Sequence, residues 1–294
     1  MKIRTLAATV ALMLPVPALA QNFSGAVTLG YGLGEISDLS QDINSLTFNG
    51  SVNVQLGSGF SLGVRADYGA IDVKGLGVDI GANLLGANVA YQFDNGGWVG
   101  AYTENAEISV DLLPINFGVT DFGVEGGYRF SGVDLSGFVG KSTDITSFGI
   151  AGKYEADGAL LGASAMRSNV KFGGADLGVT AAGLAGAYNF SQGWGVFAGA
   201  GRTSLSEVDA DLTTVGLGGS YAFEAAATPV VVSLELARTK LEVGGLGSTD
   251  LDTVRLGVTV PFGNKGSVLP KNSVADAILN PGHTAISQTV LMAF

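Results

Sequence analysis

The side chains that could carry nucleophilic or metal chemistry are few in this sequence. The chain contains no cysteine and a single histidine. His283 lies near the C-terminus, outside every predicted strand, so a Ser-His-Asp or Cys-His centre has no place in the main body of the chain. Glu207, Asp209 and Asp211 could gather a divalent cation through carboxylate oxygens, but their spacing matches no EF-hand loop. The sequence therefore predicts no catalytic residue, no metal site, no cofactor and no enzymatic activity.

The charge balance argues against a nucleic-acid partner. The chain has 15 Lys and Arg residues against 26 Asp and Glu, a formal net charge of −11. Recognition of a phosphate backbone needs concentrated basic side chains, so no nucleic acid is expected to bind. Charged residues make up only 14% of the chain, below the roughly 25% of soluble domains. The mean hydropathy is +0.37, and this composition favours apolar surroundings.

The N-terminus has the three parts of a secretory signal peptide. Lys2 and Arg4 form a positive start, residues 6–14 form a short apolar stretch, and residues 18–20 (Ala-Leu-Ala) form a cleavage site. We therefore expect residues 1–20 to be removed on export. The remaining sequence has no unbroken apolar run of about 18 residues, the length that a transmembrane helix needs.

Apolar and polar residues alternate at period two through nearly the whole chain, which predicts strands. An aromatic-x-aromatic motif recurs before turn residues, as YQF at 91–93 and YNF at 188–190. The tyrosines at positions 91, 128, 154, 188 and 221 stand 26 to 37 residues apart, which fits a repeating hairpin. The pattern predicts an all-β, antiparallel up-and-down barrel of about 14 strands, with 12 or 16 as alternatives.

Aromatic residues concentrate beside the tight turns. Amphipathic rings suit the headgroup layer of a membrane, so we interpret these residues as an interfacial girdle on the periplasmic side. The girdle comprises Tyr91, Phe93, Trp98, Tyr128, Phe130, Tyr154, Tyr188, Phe190, Trp194, Tyr221, Phe223 and Phe262.

The segment RLGVTVPF, residues 255–262, resembles the closing strand of Gram-negative outer-membrane β-barrels, with glycine at 257 and a terminal aromatic residue. With the signal peptide and the hairpin repeat, it makes the chain similar to porin-type barrels. The resemblance implies a barrel over residues 21–262, insertion into the outer membrane by the barrel assembly machinery, and a diffusion pore. The chain departs from the general porins because it shows no long inward-folding loop.

The alternation also assigns the inner face of the predicted barrel. Fourteen tilted strands would enclose a backbone radius of roughly 14 Å, too wide for small side chains to fill, so a water-filled lumen is expected. The predicted pore-lining charged residues are Arg65, Asp67, Glu125, Arg129, Lys153, Glu235 and Arg255.

The second set of connections is expected to be longer and acidic. These segments contain 14 acidic residues and only two bases, Lys74 and Lys171, so the outer mouth should favour cations. We therefore expect a porin-like channel for small hydrophilic solutes with weak cation preference. The alternative is a non-conducting structural or surface-interaction barrel, whose acidic loops meet lipopolysaccharide through divalent ions, or contact a partner. Outer-membrane lipid is an expected partner in both cases, and a homo-oligomer is left open.

Residues 263–294 follow the predicted closing strand. Their last ten residues, AISQTVLMAF, roughly alternate and could form a further strand, but an additional crossing would be needed for it to end on the same side. We therefore expect a C-terminal tail that is either periplasmic or a partial plug of the lumen.

Overall fold

The structure, a computed structural model, describes residues 23–37, 41–74, 77–111, 115–172, 175–225, 228–245, 247–263 and 269–293. The predicted signal peptide, residues 1–20, lies outside the described residues. The described chain contains fourteen strands, two short α-helices and one 3-10 turn (Ser191–Gly193). The strands are β1 (Phe23–Ile36), β2 (Gln41–Gly57), β3 (Phe60–Val73), β4 (Val78–Gln92), β5 (Gly97–Val110), β6 (Ile115–Phe130), β7 (Val133–Lys141), β8 (Ile145–Ala156), β9 (Ala159–Phe172), β10 (Ala175–Asn189), β11 (Trp194–Leu205), β12 (Ala210–Ala225), β13 (Thr228–Val243) and β14 (Gly247–Gly263).

Each strand pairs antiparallel with its neighbours in sequence, and β1 closes the ring on β14. The closing ladder runs from Ser24 opposite Gly263 to Ile36 opposite Leu251. Closure leaves no sheet edge unpaired, so every strand has two hydrogen-bonded neighbours. The predicted all-β, up-and-down barrel of 14 strands is confirmed.

At one end of the barrel, tight hairpin turns join neighbouring strands. Ser131 and Gly132 have φ of +45° and +81°, and Asp157 and Gly158 have φ of +48° and +81°. Two consecutive positive φ values are typical of a type I′ turn, whose twist matches that of the flanking strands. A Cβ atom at Gly158 would also lie 2.9 Å from the Asn189 carbonyl oxygen, so glycine relieves both constraints. We call this end the aromatic rim because the aromatic-x-aromatic motifs adjoin it.

The opposite end differs from the expectation of longer loops. Consecutive strands are separated there by two to four residues, because the strands continue into the segments expected to be loops. Asp72, for example, pairs with Asp79 across β3 and β4. Continued pairing satisfies backbone groups that a loop would leave to solvent. The acidic residues therefore stand at the strand ends, and we call this end the acidic rim.

The two faces of the barrel wall differ sharply. On β11, Trp194 is 59% exposed on the outside, whereas the inward Phe197 is 3% exposed. Exposed leucines, valines and aromatic rings cover the outer face of the other strands as well. A continuous exposed apolar surface of this kind is what a lipid bilayer solvates.

The C-terminal residues form two helices, α1 (Val274–Leu279) and α2 (Ala285–Ala293). The Ser273 hydroxyl caps α1 by accepting a hydrogen bond from the Asp276 backbone N–H at 3.1 Å. The Thr284 hydroxyl accepts from the Ser287 backbone N–H at 3.0 Å at the start of α2. The segment AISQTVLMAF, considered above as a further strand, is thus helical over residues 285–293. In the described part of the chain, no helix has the length and apolarity to cross a membrane.

Candidate functional site in the barrel lumen

The C-terminal helices lie inside the barrel against β8–β12. Val274, Ile278 and Met292 pack into one buried cluster with inward residues such as Met166 and Val170. The wall is lined with glycine at this place. A Cβ atom at Gly199 would lie 3.0 Å from the Ala275 backbone nitrogen, so the close approach of α1 depends on glycine there.

An ion pair beneath the helices anchors both of them. Arg255 Nη1 lies 3.3 Å from Glu235 Oε2, and both side chains are 3% exposed. The Arg255 guanidinium also donates to the Met292 carbonyl oxygen at 3.1 Å, near the end of α2. The Val274 backbone N–H donates to Glu235 Oε1 at 3.0 Å, at the start of α1. Each charge of the pair is therefore satisfied by its partner and by the helix backbone.

Residues 280–284, which we call the strap, join the two helices and reach away from them. Arg65 on β3 donates to the Asn280 carbonyl oxygen at 2.6 Å. Lys153 on β8 donates to the Asn280 side-chain oxygen at 3.2 Å. Arg65 is itself fixed by Asp67, whose carboxylate lies 2.5 Å from its Nε atom. The charged wall residues here therefore bind the chain's own C-terminal segment.

His283 in the strap lies between two carboxylates. Its Nδ1 is 3.3 Å from Glu104 Oε2, and its Nε2 is 3.0 Å from Glu125 Oε2. The ring stacks on Tyr102 with centroids 3.7 Å apart. Burial lowers the pKa of His283, but the hydrogen bonds to Glu104 and Glu125 outweigh it and raise that pKa to about 9. Both ring nitrogens face acceptors, so both donate and the imidazole is protonated at neutral pH.

A cavity of ≈ 430 Å³ adjoins the strap towards the aromatic rim. Its lining combines basic and acidic side chains with the strap itself: Arg65, Arg129, Lys153, Lys271, Glu104 and Glu125. Opposite charges at the wall keep such a space hydrated and attractive to polar solutes. Within the described ranges, no group of three or more His, Asp and Glu side chains is arranged to hold a metal ion.

The seven charged residues assigned to the pore lie on the inner face of the barrel. Arg65, Glu125, Arg129 and Lys153 line the cavity. Asp67 lies behind Arg65, while Glu235 and Arg255 are covered by the helices and do not face open space.

Sequence reasoning missed Glu104 and His283. Glu104 lies two residues from the inward Tyr102 and Ala106, so the period-two pattern of β5 could have assigned it. His283 lies outside the strands, and no periodic signal marks its position.

The residues assigned to the girdle stand on the outside of the aromatic rim, with one exception. Neighbouring rings contact one another, as Tyr188 with Phe190 (centroids 4.9 Å apart) and Trp194 with Tyr221 (4.7 Å). The exception is Trp98, which lines the cavity with the Arg129 guanidinium 5.7 Å from its ring centroid. Its neighbour Val99 is the outward residue, because the alternation of β5 places position 98 inside. The other outward members are Tyr91, Phe93, Tyr128, Phe130, Tyr154, Phe223 and Phe262.

Comparison with known proteins identifies the fold. No protein-family model matches the sequence, and no curated protein matches it. A solved FadL homologue of Pseudomonas aeruginosa matches with a TM-score of 0.54 and 9% identity, over 82% of this chain and 90% of that one. The anion-selective porin from Comamonas acidovorans matches with a TM-score of 0.50 and 11% identity, over 82% and 98%. The outer membrane channel DcaP of Acinetobacter baumannii matches with a TM-score of 0.50 and 10% identity, over 82% and 96%. The resemblance to porin-type barrels is confirmed: the fold of this chain is that of the bacterial outer-membrane porins and channels.

Proposed function

We propose that this protein is an outer-membrane channel through which small hydrophilic solutes diffuse passively, with a weak preference for cations. The observation that carries the proposal is the contrast between the two faces of the wall. The outer face is apolar and exposed, whereas the inner face carries charged side chains around a cavity of ≈ 430 Å³. The charged side chains that line this cavity favour water and hydrophilic solutes over apolar ones.

The cation preference rests on the acidic rim. Glu207, at the turn between β11 and β12, is one of its acidic groups. The Gly178 backbone N–H donates to the Glu207 carboxylate and lowers its pKa, so this carboxylate is charged at neutral pH. Charges of one sign at a mouth raise the local concentration of counter-ions there.

A second candidate is a non-conducting structural or surface-interaction barrel. The position of α1, α2 and the strap favours it, because they occupy lumen space that a general diffusion pore leaves open. A measurement of ionic current through the membrane distinguishes the two candidate functions, because only the channel conducts.

The same proposal covers location and partners. The signal peptide would direct export, and the barrel assembly machinery would insert the chain with its aromatic rim towards the periplasm. The acidic rim would then lie among lipopolysaccharide molecules, and copies of the chain are free to associate through the outer wall. We propose no enzymatic activity and no cofactor.

The test is conductance of the refolded full-length protein in a planar lipid bilayer. We expect discrete current steps and a reversal potential, across a salt gradient, of the sign that denotes cation preference. A reversal potential of the opposite sign would contradict the role of the acidic rim. Inserted protein that carries no current, in the wild type and in the strap variants described below, would favour the structural barrel.

A further inference from the structure

The strap divides the lumen between two sectors of the wall. The helices that flank it pack against β8–β12. The strap itself is bound mainly from the other side, by Arg65 on β3, Glu104 on β5 and Glu125 on β6. Lys153 on β8 also donates to Asn280, and Glu104 also accepts from the Ser287 hydroxyl of α2. It therefore bridges the lumen, with the cavity of ≈ 430 Å³ beside it.

We infer that the strap is a gate, held closed by His283 between Glu104 and Glu125, and that its release opens the β3–β6 side of the lumen while α1 and α2 remain on the wall. The inference rests on the proposed channel function, since a gate has meaning only where solutes pass. It goes beyond that function by assigning the residues that control the passage.

The two helices are held on the wall by buried contacts that the strap lacks. Their contacts with the wall include a buried apolar cluster and the covered Glu235–Arg255 pair. Moving the helices off the wall would expose that apolar surface and remove the backbone groups that hydrogen-bond to the two buried charges, and both changes are costly.

The strap is bound to the opposite wall mainly by polar contacts. If the strap moved, Arg65 and Glu125 would be hydrated and Glu104 would keep its hydrogen bond to Ser287. The apolar surface that release exposes is mainly that of the rings in contact with His283, Tyr102 and Phe138. The barrel does not depend on it either, because β1 and β14 close the ring by their own ladder. Strap opening is therefore a local event, of lower free energy than unfolding of the barrel.

We call His283, Glu104 and Glu125 the latch. The charge of His283 sets how strongly the latch holds the strap closed. The ionisable groups that face His283 or its partners are Tyr102 and Glu104 on β5, Asp121, Glu125 and Arg129 on β6, and Arg65 on β3. Its pKa is raised from the ordinary 6.5 to about 9. A raised pKa means that protonation stabilises the closed strap, fully below pH 6.5, and that this stabilisation is lost as the pH rises through about 9. Above that value two carboxylates face a neutral ring.

The experiment compares single-channel conductance and open probability of full-length variants as a function of pH. His283→Phe keeps a ring for stacking on Tyr102 but donates no hydrogen bond, and Glu125→Gln removes one carboxylate of the latch. Wild type should become several-fold more open as the pH rises through about 9. Both variants should be open at neutral pH, and His283→Phe should lack the alkaline step.

Glu107→Gln is the matched control, because Glu107 lies on the same strand as Glu104 but on its outward side. It should behave as wild type does. If His283→Phe and Glu125→Gln also conduct as wild type does, the gate is contradicted while the channel stands. If no form conducts, the channel itself is contradicted.

A second measurement does not depend on current. The chain has one histidine, so a single imidazole signal can be followed by nuclear magnetic resonance in detergent-folded protein. We expect titration near pH 9 in wild type and at a lower pH in Glu125→Gln. Titration of the wild-type ring at its ordinary value would show that it is not held between the carboxylates, and would overturn the inference.

Discussion

At the scale of single residues, the Glu235–Arg255 pair is a buried ion pair that contacts the backbone of both C-terminal helices. Arg255→Met would leave the Glu235 carboxylate buried without its charge partner. Breaking a buried pair from one side typically costs about 3–5 kcal/mol. We expect the C-terminal helices to leave the wall, detected as faster protease cleavage within residues 269–293 in the folded protein.

Two control variants test whether the unpaired buried charge is what increases the cleavage. Arg238→Met also breaks an arginine–carboxylate pair, with Asp252, but this pair is on the outer face, where Arg238 is 63% exposed. Cleavage should then stay at the wild-type rate. The double variant Arg255→Met/Glu235→Gln should be cleaved more slowly than Arg255→Met alone, since no unpaired charge remains. Equal cleavage of all variants would show that the pair does not anchor the helices.

At the scale of elements, glycine on the inner face decides where α1 can lie. Gly199→Val would place side-chain atoms against the Val274–Ala275 backbone, and overpacking of this kind costs about 1–3 kcal/mol. We expect α1 to be displaced, with increased protease cleavage of the C-terminal segment and an intact barrel. Gly219→Val on β12 is the control, because the nearest atom to a Cβ there is 3.6 Å away. A disrupted barrel in Gly199→Val alone would contradict the local effect.

The aromatic rim is the second element that can be tested. Replacing Tyr188, Phe190 and Trp194 together by alanine removes rings that suit the membrane interface. We expect a lower yield of folded barrel in lipid vesicles than for the triple alanine variant of Ile150, Leu184 and Leu217, which are exposed on the outer face of the same region. Equal yields would mean that the rings contribute only apolar area.

At the scale of the whole molecule, the proposed cation preference would arise from the long-range field of the acidic rim. Glu207→Gln/Asp209→Asn removes two charges from one turn without touching the cavity lining. Cation preference, measured as reversal potential, should fall while conductance remains. Because screening shortens from about 10 Å at 0.1 M salt to about 3 Å at 1 M, the difference between variant and wild type should vanish at high salt. Equal cation preference of variant and wild type at low salt would place the selectivity inside the lumen.

The sequence by itself determined the barrel. Period-two alternation is a local property of each strand, so it marks the strands and their inward residues without knowledge of any partner. Turn residues such as Ser131-Gly132 and Asp157-Gly158 then join neighbours into hairpins. Trp98 shows the limit of this reasoning. Its residue type favoured a place at the membrane interface, but the alternation of β5 puts position 98 on the inner face.

Tertiary structure alone decided what occupies the lumen. The rough alternation of residues 285–294 suggested a further strand, whereas residues 285–293 are helical. The contacts of the C-terminal segment join positions far apart in sequence: Arg65 with Asn280 at a separation of 215, and Glu104 with His283 at 179. Such contacts depend on the shape of the closed barrel and on the glycines that let α1 approach it. A lone histidine thus becomes a charged latch only because a closed ring of strands brings two carboxylates to it.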